Sequence, residues 1–358
     1  MTSTLKIDTI QNAGSAVPNI TLDTNGNATV GNTLAMGSSF VRNRIINGDM
    51  RIDQRNSGAS VTPSANVYCV DRWYALIGAA SKYSVQQNAG SVIPPTGFTN
   101  YVGVTSLSAY TPAGTENFSL MQPIEGYNVA DLAFGTASAK TITISFWVRS
   151  SLTGTFGCSI VNNGYNRSYP VSYAINLANT WEYKTITIPG DTTGTWTSDN
   201  SAGLRLYINL GTGSTYSGVS GAWAGAFYGA PTGATSVVGT NGATFYLTGV
   251  QLEVGSTPTA FERDLYSIML QKCQRYYEKN TGPEFYELPV SSGGQIQRQV
   301  RRFAVQKRVA PTVTQAKSGG DAATSVGQDG SYIDSVMFSF GGNQYNYITW
   351  DWTASAEL

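Results

Sequence analysis

The chain has 358 residues, enough for about two domains, and only 12% of them are charged, against roughly 25% in ordinary soluble proteins. Its 22 Lys and Arg balance its 22 Asp and Glu, so no long-range attraction to nucleic acid or to an acidic membrane is expected. With no His in the chain, Ser-His-Asp and Cys-His nucleophile arrangements are excluded, and so is the commonest general base near neutral pH. Ser, Thr, Asn and 39 Gly, with 21 Tyr and 7 Trp, favour strands joined by tight turns. Cys69, Cys158 and Cys273 have no paired spacing and read as reduced core residues.

In chain order, the start "MTSTLKIDTI" has no basic region followed by an apolar run, so no signal peptide is expected. No stretch nears the ~20 apolar residues of a spanning helix, so no membrane insertion is expected either. Residues 1–39 alternate weakly, with Asn25-Gly26 between Ile20/Leu22 and Ala28/Val30 as a hairpin signal. Strands this short and this poor in apolar side chains need copies of themselves or a partner to pair with.

"NRIINGDMRIDQRNSG", residues 43–58, reads as an opening strand with Ile46, Met50 and Ile52 inward and Arg51, Asp53 and Arg55 outward. From residue 40 to 264 about ten short β runs follow, separated by Gly/Ser/Thr/Asn/Pro clusters, and predict one jelly-roll β-sandwich. In "KTITISFWVRS", Ile142, Ile144, Phe146 and Val148 share one face, and Trp147 lies on the other. Residues 265–358 form a small α+β unit. Its one helix is capped by Asp264 and carries a stripe of Leu265, Ile268, Met269, Cys273 and Tyr276, and several strands follow.

Several of these stretches in order, "NRIINGDMRIDQRNSG", "YCVDRWY", "ISFWVRSSLTGTF", "FYLTGVQLEVGSTPTAFERD", "LQKCQRYYEK" and "FAVQKRVAPTV", together resemble bacteriophage tail fibre proteins, particularly those of phages of cyanobacteria and marine bacteria. The central domain of that family is similar to the jelly roll of carbohydrate-binding modules. The resemblance implies a homotrimeric virion protein, attached to the phage tail or baseplate through residues 1–39, that recognises a host surface polysaccharide. It also implies synthesis in the host cytoplasm without a signal peptide. A connector or decoration protein without glycan binding, and a polysaccharide depolymerase, are the alternatives. No catalytic carboxylate pair stands out and no regular repeat is present, so an enzyme is not expected.

For sugar binding, aromatic rings in turn-rich stretches are the natural platforms. Tyr165, Tyr169, Trp196, Tyr216, Trp223, Tyr228, Tyr345, Tyr347, Trp350 and Trp352 are the candidates, each of which could instead pack within the chain or across a trimer interface. Trp73 and Trp147, inside strands, read as structural. Arg298, Arg301, Arg302, Lys307 and Arg308 could grip anionic sugars, with pairing to Glu278, Glu284 and Glu287 the simpler expectation. By analogy with carbohydrate-binding jelly rolls, Asn47, Asp49 and Glu253 are candidate ligands of a structural Ca²⁺, and no other cofactor is expected.

Overall fold

A computed structural model describes residues 9–10, 20–22, 24, 28–30, 42–280, 282, 284–287, 296–320, 325–341 and 347–358. It divides into two compact units, Met1–Arg42 and Asn43–Leu358. In the first, β1 (Thr9–Ile10), β2 (Ile20–Leu22) and β3 (Ala28–Val30) form an antiparallel sheet in the order β1-β2-β3. Ile20 faces Val30 and Leu22 faces Ala28, the pairing a hairpin there requires, although Asn25 and Gly26 lie outside the described residues.

The second unit begins its strands with β4 (Val67–Tyr68), β5 (Tyr74–Leu76), β6 (Tyr83–Gln87), β7 (Val102–Ser106), β8 (Asn117–Glu125) and β9 (Ile142–Ser150). They are followed by β10 (Gly154–Asn162), β11 (Ser168–Ile175), β12 (Glu182–Ile188), β13 (Ala202–Thr212), the short β14 (Ser217–Gly218) and β15 (Ala230–Pro231), and β16 (Thr244–Val254). Two sheets result, ordered β11-β10-β13-β8-β5-β4 and β12-β9-β16-β7-β6. The antiparallel partners nest along the chain: β10 with β11, β9 with β12, β8 with β13, and β7 with β16. Because consecutive strands of this nest alternate between the sheets, the fold is a jelly roll.

Alternation explains what each sheet buries. Ile142, Ile144, Phe146 and Val148 of β9 are fully buried, as are Leu204, Leu206, Ile208 and Leu210 of β13, and all of them join one core between the sheets. Each such side chain contributes roughly 1.5–3 kcal/mol. The three cysteines are free and buried, and burial pushes the Cys69 and Cys158 thiols up to about 12.

The stretch 43–58 corrects the expectation of an opening strand, because it folds as an extended entry broken by two turns. It does run beside β16, with Arg44 N–H donating to Leu252 O (2.9 Å) and Val250 N–H to Gly48 O (2.9 Å). Asn47 then turns the chain. Its Oδ1 accepts from Ile52 N–H (3.0 Å), its Nδ2 donates to Ile52 O and Asp71 O, and both Asn47 and Met50 take left-handed φ of 58°. Asp53 closes the second turn by accepting from the N–H groups of Asn56 and Gly58.

Helix α1 (Tyr266–Gln274) leads into β17 (Tyr277–Lys279), β18 (Glu284–Glu287), β19 (Gln297–Arg302), β20 (Thr312–Gly320), β21 (Ser325–Ser331), β22 (Ser335–Gly341) and β23 (Tyr347–Ser355). The expected Asp264 cap is not made: Leu265 occupies the cap position, and Asp264 pairs with Lys272 (2.6 Å). Met269 and Cys273 are buried against Ile52, whereas Leu265 and Ile268 face outward, because the helix meets the sandwich along a narrow line. β23 pairs with β17, β18 and β20, and β22 lies between β19 and β21. These strands enclose their own apolar cluster, which includes Phe303, Phe338, Phe340, Ile348, Trp350 and Trp352.

A buried polar seam joins this cluster to the sandwich. Arg72, with 1% of its surface exposed, pairs with Glu357, donates to Pro123 O (2.6 Å) and stacks 3.6 Å over Tyr276. Arg55 reaches the other Glu357 oxygen (2.8 Å), and Arg275 grips Glu125 through Nε (2.9 Å) and Nη2 (2.6 Å). Tyr276 Oη also donates to Glu125 (2.6 Å). Burial works to raise the Glu125 pKa, but the bonds from Arg275 and Tyr276 outweigh it and leave the carboxyl below its ordinary value.

Asp71, beside this seam, accepts from Gln54 N–H (3.0 Å) and Gln54 Nε2 (2.5 Å), yet burial pushes its pKa from 3.8 up to about 7. Between those values the folded protein holds a proton that the unfolded chain has released, so this group's contribution is full below about pH 4 and declines as pH rises to about 7. In urea unfolding across pH, the stability of the natural protein relative to Asp71→Asn is expected to fall over that window. A difference that rises there would contradict the assignment.

Candidate functional site

The outer face of the six-stranded sheet carries a band of aromatic side chains. With Leu204, Leu206, Ile208 and Leu210 pointing inward, alternation turns Arg205, Tyr207 and Asn209 outward, opposite Met121 and Ser119 of β8. Tyr74 and Leu76 of β5 continue this face beyond β8. Over it folds the segment between β13 and β16, which brings Phe227 edge-on to Tyr207 (5.6 Å), Tyr216 (5.0 Å) and Tyr165 (5.7 Å).

These rings, together with Leu76, Ile77, Thr115 and Asn117, line a groove of about 490 Å³. Tyr165 sits on the tight turn after β10, where Asn162 Oδ1 accepts from the N–H groups of Asn166 and Arg167, and its φ is 54°. Arg205 packs 4.6 Å from its ring while donating to Asn162 O and Asn163 Oδ1. One face of Tyr165 is thus braced, while the residue remains 46% exposed. Burial, with Tyr165 beside it, raises the Tyr207 phenol and keeps it a neutral donor.

At the foot of the groove stands Asn117, which is 6% exposed. Its amide lies within hydrogen-bond distance of Ser119 Oγ (2.7 Å) and Thr212 Oγ1 (3.0 Å), and Thr212 Oγ1 donates to Asn209 Oδ1 (2.7 Å), so these hydroxyls hold the side chain in place beneath the rings.

Of the ten aromatic candidates, Tyr165 and Tyr216 meet in this groove. Tyr169, Trp196 and Trp223 gather elsewhere, around Phe134, in edge-to-face contacts of 4.9–5.7 Å. Tyr169 is buried with its Oη bonded to Gly221 O, and Trp223 Nε1 donates to Pro189 O. The Arg167–Asp191 pair (2.6 Å) packs against this cluster, and Phe134 and Trp196 line a cavity of about 310 Å³. Tyr228 packs flat against Gly218, where a Cβ would come 2.4 Å from its ring.

At the C-terminal strands, Tyr347 is 49% exposed and stacks on Phe285 at 5.6 Å. Trp350 and Trp352 correct their candidacy, because β23 turns both into the core, where they can offer no face to a ligand. Tyr345 lies outside the described residues. Sequence reasoning missed Tyr207, Phe227 and Asn117. Tyr207 was legible from the alternation of "LRLYINLG", whereas Phe227 and Asn117 reach the groove through loop folding and strand pairing that leave no local signal.

The cationic candidates do not form one anion site. Arg298 pairs with Asp329 (2.5 Å), Arg302 with Asp334 (2.5 Å) and Arg301 with Glu284. Lys307 is buried against Glu278, and burial lowers its pKa against the pull of that carboxylate. Arg308 donates to Asn200 O, Ala356 O and Glu357 O in the seam. Pairing to Glu278 and Glu284 therefore matches the simpler expectation, while the Glu287 side chain lies outside those described.

Asn47, Asp49 and Glu253 do not fit a calcium ion. The Asn47 amide is used within its turn, and Glu253 accepts from Thr259 N–H, Thr259 Oγ1 and Gln251 Nε2. Asp49 is paired with Arg51 (2.5 Å), and burial raises its pKa despite that neighbour. Among the described residues no group of three acidic or Cys side chains gathers as a cage.

No protein-family profile and no curated protein matches the chain. Similar solved structures include the enzymatically active domain of tailspike protein 4 of bacteriophage CBA120 (10% identity, TM-score 0.31), with 61% of this chain and 22% of that one aligned. Others are the family 11 carbohydrate-binding module of a Clostridium thermocellum cellulosomal cellulase (14%, TM-score 0.27, 55% and 96%) and the N-terminal cellulose-binding domain of a Cellulomonas fimi glucanase (12%, TM-score 0.26, 45% and 82%). At scores this low, the assignment of the fold rests on the nested strand pairing described above.

The ion pairs are expected to differ sharply in worth. Glu278→Gln, which strands a buried ammonium, should cost about 3 kcal/mol in urea unfolding. Arg302→Ala, whose side chain is 75% exposed, should stay within about 0.5 kcal/mol. Equal costs would contradict the division into buried and surface pairs.

Proposed function

We propose that this protein is a phage tail fibre, held in the virion through residues 1–39, that recognises a glycan on the host surface in the groove bounded by Tyr165, Tyr216 and Phe227. The observation that carries the glycan reading is the groove itself, walled by Tyr165, Tyr216 and Phe227, with the half-exposed Tyr165 ring braced by Arg205. A sugar ring offers an apolar C–H face to an aromatic wall and hydroxyls to the tyrosine Oη groups beside it, so this groove suits a neutral saccharide. The ordered resemblance of the chain to tail fibres supports the virion role.

In a homotrimer, three shallow grooves would act together, and effective concentration would make a weak single-site affinity sufficient for adhesion. An open groove is consistent with that economy. Binding of the purified chain to host cells, competed by extracted host polysaccharide, tests the proposal. Tyr216→Ala is expected to weaken retention about five- to tenfold, in line with loss of a central aromatic contact. Undiminished retention would move recognition elsewhere, and absence of retention would favour a connector role.

A further inference from the structure

The other face of the sandwich carries a second aromatic groove of different chemistry. On the outer side of the five-stranded sheet, Trp147 of β9 faces Tyr183 of β12 across the strands, with ring centroids 5.4 Å apart. Phe98 and Phe261, edge-on at 5.2 Å, form the opposite wall, and the groove between the two pairs holds about 540 Å³. Its floor depends on Gly249, which has a φ of 62° in the register shift of β16. A Cβ there would come 2.7 Å from Phe98 Cζ and 3.2 Å from Trp147 Cδ1, so the glycine both makes the bulge and lets the walls approach.

The arginines distinguish this face. Most others in the chain meet a carboxylate, as in Arg44–Asp131, Arg167–Asp191 and Arg275–Glu125. Arg263 instead lays its guanidinium over Phe98 (4.5 Å) and Phe261 (5.4 Å) and makes no ion pair among the described residues. The acid whose charge it reaches, Asp49, is already held by Arg51. Arg149 is the next outward residue of β9 beyond Trp147, and its Nε is buried without an acceptor. Its guanidinium lies 5.8 Å from the Tyr246 ring and makes no ion pair among the described residues.

A guanidinium stacked on aromatic rings keeps its in-plane N–H donors directed outward, in the geometry that matches a carboxylate or sulfate. From the Arg263 guanidinium, which lines a half-open aromatic strip and makes no ion pair among the described residues, we propose that this face is a second saccharide site, specific for acidic sugars bearing a carboxylate or sulfate. It is separate from the neutral groove, from which the sandwich core divides it. Trp147 and Tyr183 would take the ring face, and Arg263 the anionic substituent.

Isothermal titration of the full chain with oligogalacturonate, dextran sulfate oligomers and neutral dextran tests this. Binding of at least one acidic oligomer and not of dextran is expected. It should weaken about tenfold in Arg263→Gln, a change at an exposed side chain, and in Trp147→Ala, be partly kept by Arg263→Lys, and be unaltered by Tyr216→Ala. Failure of both acidic oligomers to bind would overturn the proposal, as would binding indifferent to Arg263→Gln. Loss in Tyr216→Ala would assign the ligand to the first groove. A self-association in sedimentation that Trp147→Ala abolishes would identify a second copy as the occupant and also overturn it.

Discussion

Glu357 holds two arginines from the beginning of the sandwich, and the arrangement of the whole second unit depends on that contact. Arg72 and Arg55 come from the turns before β5, Glu357 from the residues after β23, and their sequence separations are 285 and 302 residues. Neither charge could be buried alone, because an isolated ion in a low-dielectric interior costs several kcal/mol. Mutual pairing, the Tyr276 ring beneath Arg72 and the bond to Pro123 O make burial tolerable. The helix and final strands are thereby fixed to the sandwich although they enclose an apolar cluster of their own.

That anchoring has a functional consequence. With α1 and the seam at one end of the sandwich, each sheet keeps a groove on its outward face. One is lined by tyrosines and Phe227, the other by Trp147, Tyr183 and the Arg263 guanidinium. A chain with zero net charge and largely paired arginines leaves its few unpaired polar groups conspicuous. Binding chemistry on such a scaffold is better located by looking for donors that lack partners than by counting aromatic residues.

Much of the architecture was legible because burial imposes a period of two. "KTITISFWVRS" gave its inward face correctly, and the turn clusters marked most strand ends. The stretch 43–58 misled because its alternation is broken by Asn47 and Asp53, whose side chains bond the backbone and favour turns over a strand. Trp350 and Trp352, candidates as aromatics of a turn-rich stretch, belong instead to β23, which is central to its sheet and turns both inward. Trp147, read as structural, lines a groove, since a strand residue on the outer face is structural only if something covers it. Long-range pairs such as Arg72 with Glu357 leave no local signal, and the grooves depend on which loops fold over which sheet.

The central claim is that sandwich and C-terminal strands form one cooperative unit joined through Glu357. Native-state hydrogen exchange of β13 and β23, compared between the natural protein and Glu357→Gln, tests it most directly. The account predicts that both strands lose protection together, by about 3 kcal/mol. Loss confined to β23, with β13 unchanged, would contradict it.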